Sequence, residues 1–165
     1  MKVLILISRV TSVMSFLFVV GCASAPKATP PPPQSAEPTA VKVSFHAQPN
    51  VNPDSSGRPS PIVVKFYELK STAAFDAGDF FSIFDNEQKT IGVGLLDSDV
   101  LQLRPGETFE FERTFKTDTR YLAVIAAFRD IEHSRWRATL PIASKEKISR
   151  VVIQLDGNRI LIGKE

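Results

Sequence analysis

Few residues in this chain are of a type that does chemistry, and Cys22, the only cysteine, stands out among them. It closes the stretch Val19-Val20-Gly21-Cys22 at the end of an apolar run. Lys2 and Arg9 form a basic head, Val10 to Val20 is a charge-free segment of eleven residues, and the small Gly21 precedes the thiol. This is the layout of a bacterial secretion signal, and its four-residue ending is that of a lipoprotein signal. The implied chemistry is covalent: the Cys22 thiol receives a diacylglycerol, the peptide before it is cut, and the new amino group is acylated. A spanning helix needs ~20 apolar residues, so this run is too short to be one. Acyl chains contribute ~0.8 kcal/mol per buried CH2, and more than one makes attachment stable. Residue 23 is Ala and not Asp, which in enterobacterial-type sorting implies transfer to the outer membrane, with the mature chain in the periplasm.

The remaining candidates are weak. The chain has two histidines, His46 and His133. His46 falls on the polar face of an expected strand and His133 in a polar loop. Neither has further ligands at metal spacing, so no zinc site is expected. Lipidation removes Cys22 as a nucleophile, and neither G-x-S-x-G nor a P-loop occurs. Asn50-x-Asn52-x-Asp54 has the start of a calcium loop, but the glycine is at 57 and Pro61 stands where the closing Glu belongs. It reads as a turn-rich loop. Asp97 and Asp99 are read as part of a solvated loop rather than a working carboxylate pair. No enzyme and no cofactor are expected.

The elements that carry these residues fall into three parts: a signal peptide (1–21), a lipidated Cys with a Pro-rich tether (22–40), and one domain (41–165). The tether holds Pro26, Pro30 to Pro33 and Pro38. Such sequence favours extended polyproline II, and its length allows a reach of about 50 Å. The lone cysteine is committed to lipid, so the domain has no disulfide and must be held by packing. Removing the signal leaves eighteen basic and eighteen acidic residues, which gives no electrostatic case for nucleic acid.

Within the domain, Val41 to Ala47 alternates apolar and polar residues with a period of two. Pro61 to Leu69, Val100 to Leu103, Thr108 to Phe115, Trp136 to Pro141, Val151 to Leu155 and Asn158 to Gly163 also read as strands. Pro105-Gly106 marks a turn and Asp156-Gly157 a hairpin. Arg120 to Phe128 is nearly all apolar and fits a central strand covered on both faces. The pattern predicts a mainly β, antiparallel two-sheet β-sandwich. Ser71 to Glu87 breaks it with a short helical insert after the second strand. Asp79 is placed to cap a helix from Phe80, and Phe80, Phe81 and Phe84 share a face that buries the insert. Trp136 is read as core, with Arg129 and Asp130 pairing at a strand end, in preference to an exposed recognition patch that includes Arg137. The polar, proline-stiffened loop Pro49 to Ser60 is long for a hairpin connection. It reads equally as a partner-binding surface or a plain crossover.

At this point the residues resemble a family. Asn52-Pro53 with Gly57-Arg58-Pro59-Ser60-Pro61 and the strand through Leu69 are similar to the loop and second strand of the type VI secretion system outer-membrane lipoprotein, the TssJ (SciN, VasD) family. Phe75 with Asp79-Phe80-Phe81 fits its helical insert, and Leu103-x-Pro105-Gly106-Glu107 its central turn. Tyr121 through Ala126-Ala127-Phe128-Arg129-Asp130-Ile131, followed by Trp136-Arg137, is the most specific match. The likeness covers nearly all of Val41 to Leu161, though the tether is longer than the family leads one to expect.

The resemblance implies a transthyretin-like sandwich and a structural role. It implies an outer-membrane-anchored subunit that binds the periplasmic C-terminal region of the inner-membrane protein TssM, within a complex that also contains TssL. It places the contact on the loop between the first two strands, here Val51, Asn52, Asp54, Ser55, Ser56, Gly57 and Arg58. The alternative carried beside it is a periplasmic binding module for a peptide or glycan.

Overall fold

The computed structural model describes residues 40–142 and 150–165. Cys22, the signal peptide and the tether up to residue 39 lie outside them. Strands β1 (Ala40–Ala47), β2 (Ile62–Leu69), β3 (Leu95–Leu103), β4 (Thr108–Thr114), β5 (Tyr121–Ala126), β6 (Arg137–Pro141), β7 (Arg150–Asp156) and β8 (Arg159–Lys164) form two four-stranded sheets. Their orders are β4-β1-β7-β8 and β3-β2-β5-β6. The expected two-sheet sandwich is present, with one departure from antiparallel pairing: β1 and β7 run parallel, Val43 opposite Val151. Parallel neighbours need a long connection, and here β2 to β6 intervene.

Alternation on β2 and β5 explains why both are buried on two faces. Val64 and Phe66 of β2, with Leu122 and Val124 of β5, enter the core between the sheets beside Val43, Phe45, Val151 and Ile153. Tyr67 and Leu69, with Ala123 and Ile125, face the other way and meet Phe75, Phe80, Ile83 and Ile91 of the insert. Full burial of such side chains stabilises by roughly 1.5–3 kcal/mol each. Phe45, Phe66 and Phe111 form an edge-and-stack cluster with centroids 6.0–6.2 Å apart, a spacing that suits ring quadrupoles.

The insert comprises α1 (Ala73–Ala77) and α2 (Phe80–Ile91). Asp79 caps α2 as expected: its carboxylate accepts from the Ser82 N–H at 3.0 Å. A Cβ at Gly78 would lie 2.8 Å from Ile83 Cγ1, so the turn between the helices needs glycine. Phe80 is buried, stacks on Phe84 and meets Trp136 edge-on. Phe81 departs from the expectation. It is 63% exposed, because the face that packs on the sheet is set by Phe80, Ile83 and Ile91.

Two loop expectations also change. β3 starts at Leu95, not Val100, so Asp97 and Asp99 lie in a strand. β2 supplies backbone partners that far, and ion pairs meet the acids: Lys116 on Asp97 and Arg113 on Asp99. Inside the insert interface, Lys65 Nζ donates to the Phe84 carbonyl at 2.6 Å and pairs with Glu87 at 2.9 Å. A non-helical residue, Asn86 (φ −138°, ψ 49°), precedes Glu87. Ser98 Oγ donates to the other Glu87 oxygen at 2.7 Å. Burial pushes the Glu87 carboxyl up, but the Lys65 and Ser98 hydrogen bonds and the Lys65 charge outweigh it, so the group titrates below ordinary glutamate. Burial, and then the nearby Glu87 charge, hold the Tyr67 phenol above its ordinary range. The Tyr67 hydroxyl itself has no hydrogen bond of good geometry.

Candidate functional site

The short β3–β4 turn (104–107) and three further connections share one end of the sandwich: the β1–β2 loop (48–61), the β5–β6 loop (127–136) and the β7–β8 hairpin turn (156–159). The chain enters β1 at the opposite end, about 23 Å away along the strand at ~3.3 Å per residue.

Asn52 joins the three connections. It is 3% exposed and has φ +51°, a left-handed conformation that Asn tolerates better than other non-glycine residues. Its Nδ2 donates to the Pro61 carbonyl at 2.8 Å, and its Oδ1 accepts the Arg129 N–H at 2.8 Å. Its own N–H donates to the Gly157 carbonyl at 2.9 Å. Nearby, Asn50 Nδ2 donates to Asp156 at 2.9 Å, and the Ser60 N–H reaches the Val51 carbonyl at 3.1 Å. Val51 is fully buried in the main core.

Beyond these anchors the loop closes on itself. The Asp54 carboxylate accepts from the N–H groups of Ser56 and Arg58 and from Arg58 Nε, at 2.9, 3.0 and 3.1 Å. The Arg58 backbone bond is the largest influence on Asp54. With the Ser56 bond and the Arg58 charge it holds the carboxyl below the usual carboxylate range. Gly57 supplies the left-handed residue (φ +79°) that lets its N–H return to the Asp54 carbonyl at 2.8 Å. Ser55, Ser56, Gly57 and Arg58 stand exposed on this rigid tip.

The structure thus divides the residues marked on this loop. Val51 and Asn52 are interior and shape the loop, Asp54 is half-buried and locks the turn, and residues 55–58 present the surface. The Asn50, Asn52 and Asp54 side chains do not converge, in keeping with the turn reading. Among the described residues no group of three or more His, Cys, Asp and Glu is placed to hold a metal ion. His46 pairs with Thr108 at 3.2 Å across the β1–β4 ladder, at the start of β4.

Two pairings differ from the sequence expectation. Asp130 does not pair with Arg129. It accepts from the ring of His133 at 2.8 Å, and that hydrogen bond and charge raise the imidazole pKa. Arg129 is exposed. Trp136 is half-buried and packs against both cores, as expected of core. Arg137 stacks on its ring at 4.9 Å and donates to the carbonyls of Phe75, Asp76 and Gly78, so Arg137 caps α1 rather than lining a recognition patch. Sequence reasoning missed the bracing by Asn52. The available signal was an Asn in a loop, a residue that both accepts a left-handed backbone and carries a donor and an acceptor.

Fold and surface define a class: a small β-sandwich with a helical insert covering one sheet and one braced, loop-built end. The model of the family described as "Type VI secretion lipoprotein, VasD, EvfM, TssJ" matches residues 39–158. The T6SS lipoprotein TssJ1 from Pseudomonas aeruginosa is 38% identical with TM-score 0.74, over 78% of this chain and 97% of that chain. Serratia marcescens Lip, a membrane-bound component of the type VI secretion system, is 28% identical with TM-score 0.70, over 78% and 98%. The fold alone is shared with a chain in the structure of the T6SS protein TssM C-terminal domain from EAEC, at 21% identity and TM-score 0.64, over 75% and 97%. Comparison with curated protein sequences gave no match. The chain belongs to the type VI secretion lipoprotein family.

Proposed function

We propose that this lipoprotein is the outer-membrane-anchored structural subunit of a type VI membrane complex, held at the periplasmic face by lipid on Cys22, and that its loop-bearing end binds the periplasmic C-terminal region of TssM. TssL belongs to the same assembly. The observation that carries the reading is the braced β1–β2 loop. Its tip, residues 55–58, is exposed while Val51, Asn52 and Asp54 fix its shape. A loop already ordered before binding loses little conformational freedom on docking, which suits a permanent structural joint. β1 starts at Ala40, at the opposite end of the strand from this loop. The contact is made by Ser55, Ser56, Gly57 and Arg58, with Val51, Asn52 and Asp54 as supports.

The test has two arms in cells that carry the secretion system. Cys22→Ser is expected to release the protein from outer-membrane fractions and stop secretion while the domain stays folded. Changing Ser55, Ser56 and Arg58 together to Ala is expected to leave the protein in the membrane but lose co-purification with TssM. Full membrane recovery of the first variant sinks the anchor assignment, and full co-purification of the second moves the contact off this loop.

A further inference from the structure

The charges of the three loops are unequally committed. Arg58 is paired with Asp54 at 3.1 Å, and Arg159 Nε with Asp156 at 3.2 Å. His133 takes Asp130 at 2.8 Å. Arg129 and Arg135 are both exposed, and neither guanidinium has a hydrogen-bond or ion-pair partner among the described residues. Of the loops' acids only Glu132 is left in the same condition. The intrinsic pairing therefore consumes acids and leaves two uncommitted guanidinium groups on one loop.

Those two arginines are not on a loose segment. The Arg129 N–H is held by Asn52 Oδ1 at 2.8 Å. Arg135 donates its N–H to the Asn158 carbonyl at 2.8 Å and accepts from the Ile160 N–H at 3.1 Å. One is thus tied to the β1–β2 loop and the other to the β7–β8 hairpin. Arg135 also lines a shallow recess with Asn50, His133 and the turn Asp156-Gly157. Fixed backbones under flexible, unpaired guanidinium groups suit bidentate capture of carboxylates, and Arg is enriched where protein interfaces concentrate their energy.

We propose that the β5–β6 loop is the second half of the docking surface, and that Arg129 and Arg135 engage an acidic patch on the protein partner. The inference rests on the reading that this end binds the TssM periplasmic region, and it adds the chemistry of the partner's face. Asn52 makes the two halves one unit, since a single side chain sets both the tip loop and the start of the arginine loop.

The experiment measures association of the detergent-solubilised mature lipoprotein with the cognate TssM periplasmic region. It compares wild type, Arg129→Glu with Arg135→Glu, and the tip variant (Ser55, Ser56 and Arg58 to Ala), each checked by thermal unfolding. Salt is varied from about 0.05 to about 0.5 M, which shortens the Debye length roughly threefold. The double reversal is expected to lose about tenfold or more in affinity at low salt, mostly in association rate, with the gap narrowing at high salt. If the reversal binds like wild type with the same salt slope while the tip variant is weak, the acidic-patch inference is overturned and the docking reading stands. If wild type itself does not bind, both fall.

Discussion

Asn52→Ala tests the account of how the loop-bearing end is held. The substitution removes the donor to the Pro61 carbonyl and the acceptor of the Arg129 N–H, both bonds being 2.8 Å and partly shielded. Each loss costs about 1 kcal/mol. Alanine must also hold the φ of +51°, which costs a Cβ-bearing residue roughly 1–2 kcal/mol. The expected total is about 3 kcal/mol, a fall in melting temperature on the order of 10 °C for a domain of this size. Asn52→Gly separates the terms. It loses the same two hydrogen bonds but adopts the left-handed backbone freely, so it is expected to be about 0.5–1 kcal/mol more stable than the alanine variant after its greater unfolded-state entropy is counted. Urea unfolding of the mature protein, followed by Trp136 fluorescence, measures both. A loss below about 1 kcal/mol for alanine, or a glycine variant less stable than the alanine one, would refute the reasoning.

The Lys65–Glu87 pair should couple the insert to the sheet, because both side chains are mostly buried, 15% and 21% exposed. Lys65→Met alone is expected to cost about 2 kcal/mol, and a double-mutant cycle with Glu87→Gln to give a coupling of about 1 kcal/mol; additive losses would contradict the pairing. Because the folded Glu87 pKa lies below its ordinary value of 4.5, its contribution is present above that pH and disappears as pH falls through the lowered value. Glu87→Gln should flatten that part of the acid-unfolding curve, and an unchanged slope would count against the assignment. Arg137→Lys keeps the charge but lacks the planar guanidinium that stacks on Trp136 while its Nη1 donates to the Phe75, Asp76 and Gly78 carbonyls. It is expected to cost about 1 kcal/mol and to raise amide exchange in α1 ahead of the rest, whereas uniform exchange would argue that α1 is held by Phe75 burial alone.

What the sequence made legible follows from periodicity. The period-two runs of β1 and β4 and the apolar run of β5 report burial directly, and Asp79 before Phe80 reports a cap. The misplaced features depend on partners distant in sequence. Asp97 and Asp99 look like loop residues until Lys116 and Arg113 meet them, and the start of β3 is set by hydrogen bonds to β2. Phe81 shares helical spacing with Phe80 and Phe84, yet which side of the helix meets the sheet is decided by Ile83 and Ile91. The parallel β1–β7 pair leaves no local trace, because it arises from how the chain crosses between sheets. The β1–β2 loop was visible as polar and proline-stiffened. That Val51 and Asn52 point inward, and that Arg129 loses Asp130 to His133, depends on three connections meeting at one end.

The central claim is that this rigid end is the joint with TssM. With Cys22 taken up by the proposed lipid, a single Cys introduced at Ser56 can carry a photo-crosslinker, and one at Asp118, in the β4–β5 connection at the opposite end, serves as control. Both would be expressed in cells with the assembled secretion system and the adducts identified by mass spectrometry. The account predicts a TssM adduct from Ser56→Cys and none from Asp118→Cys. Adducts to TssM from Asp118→Cys alone would contradict it.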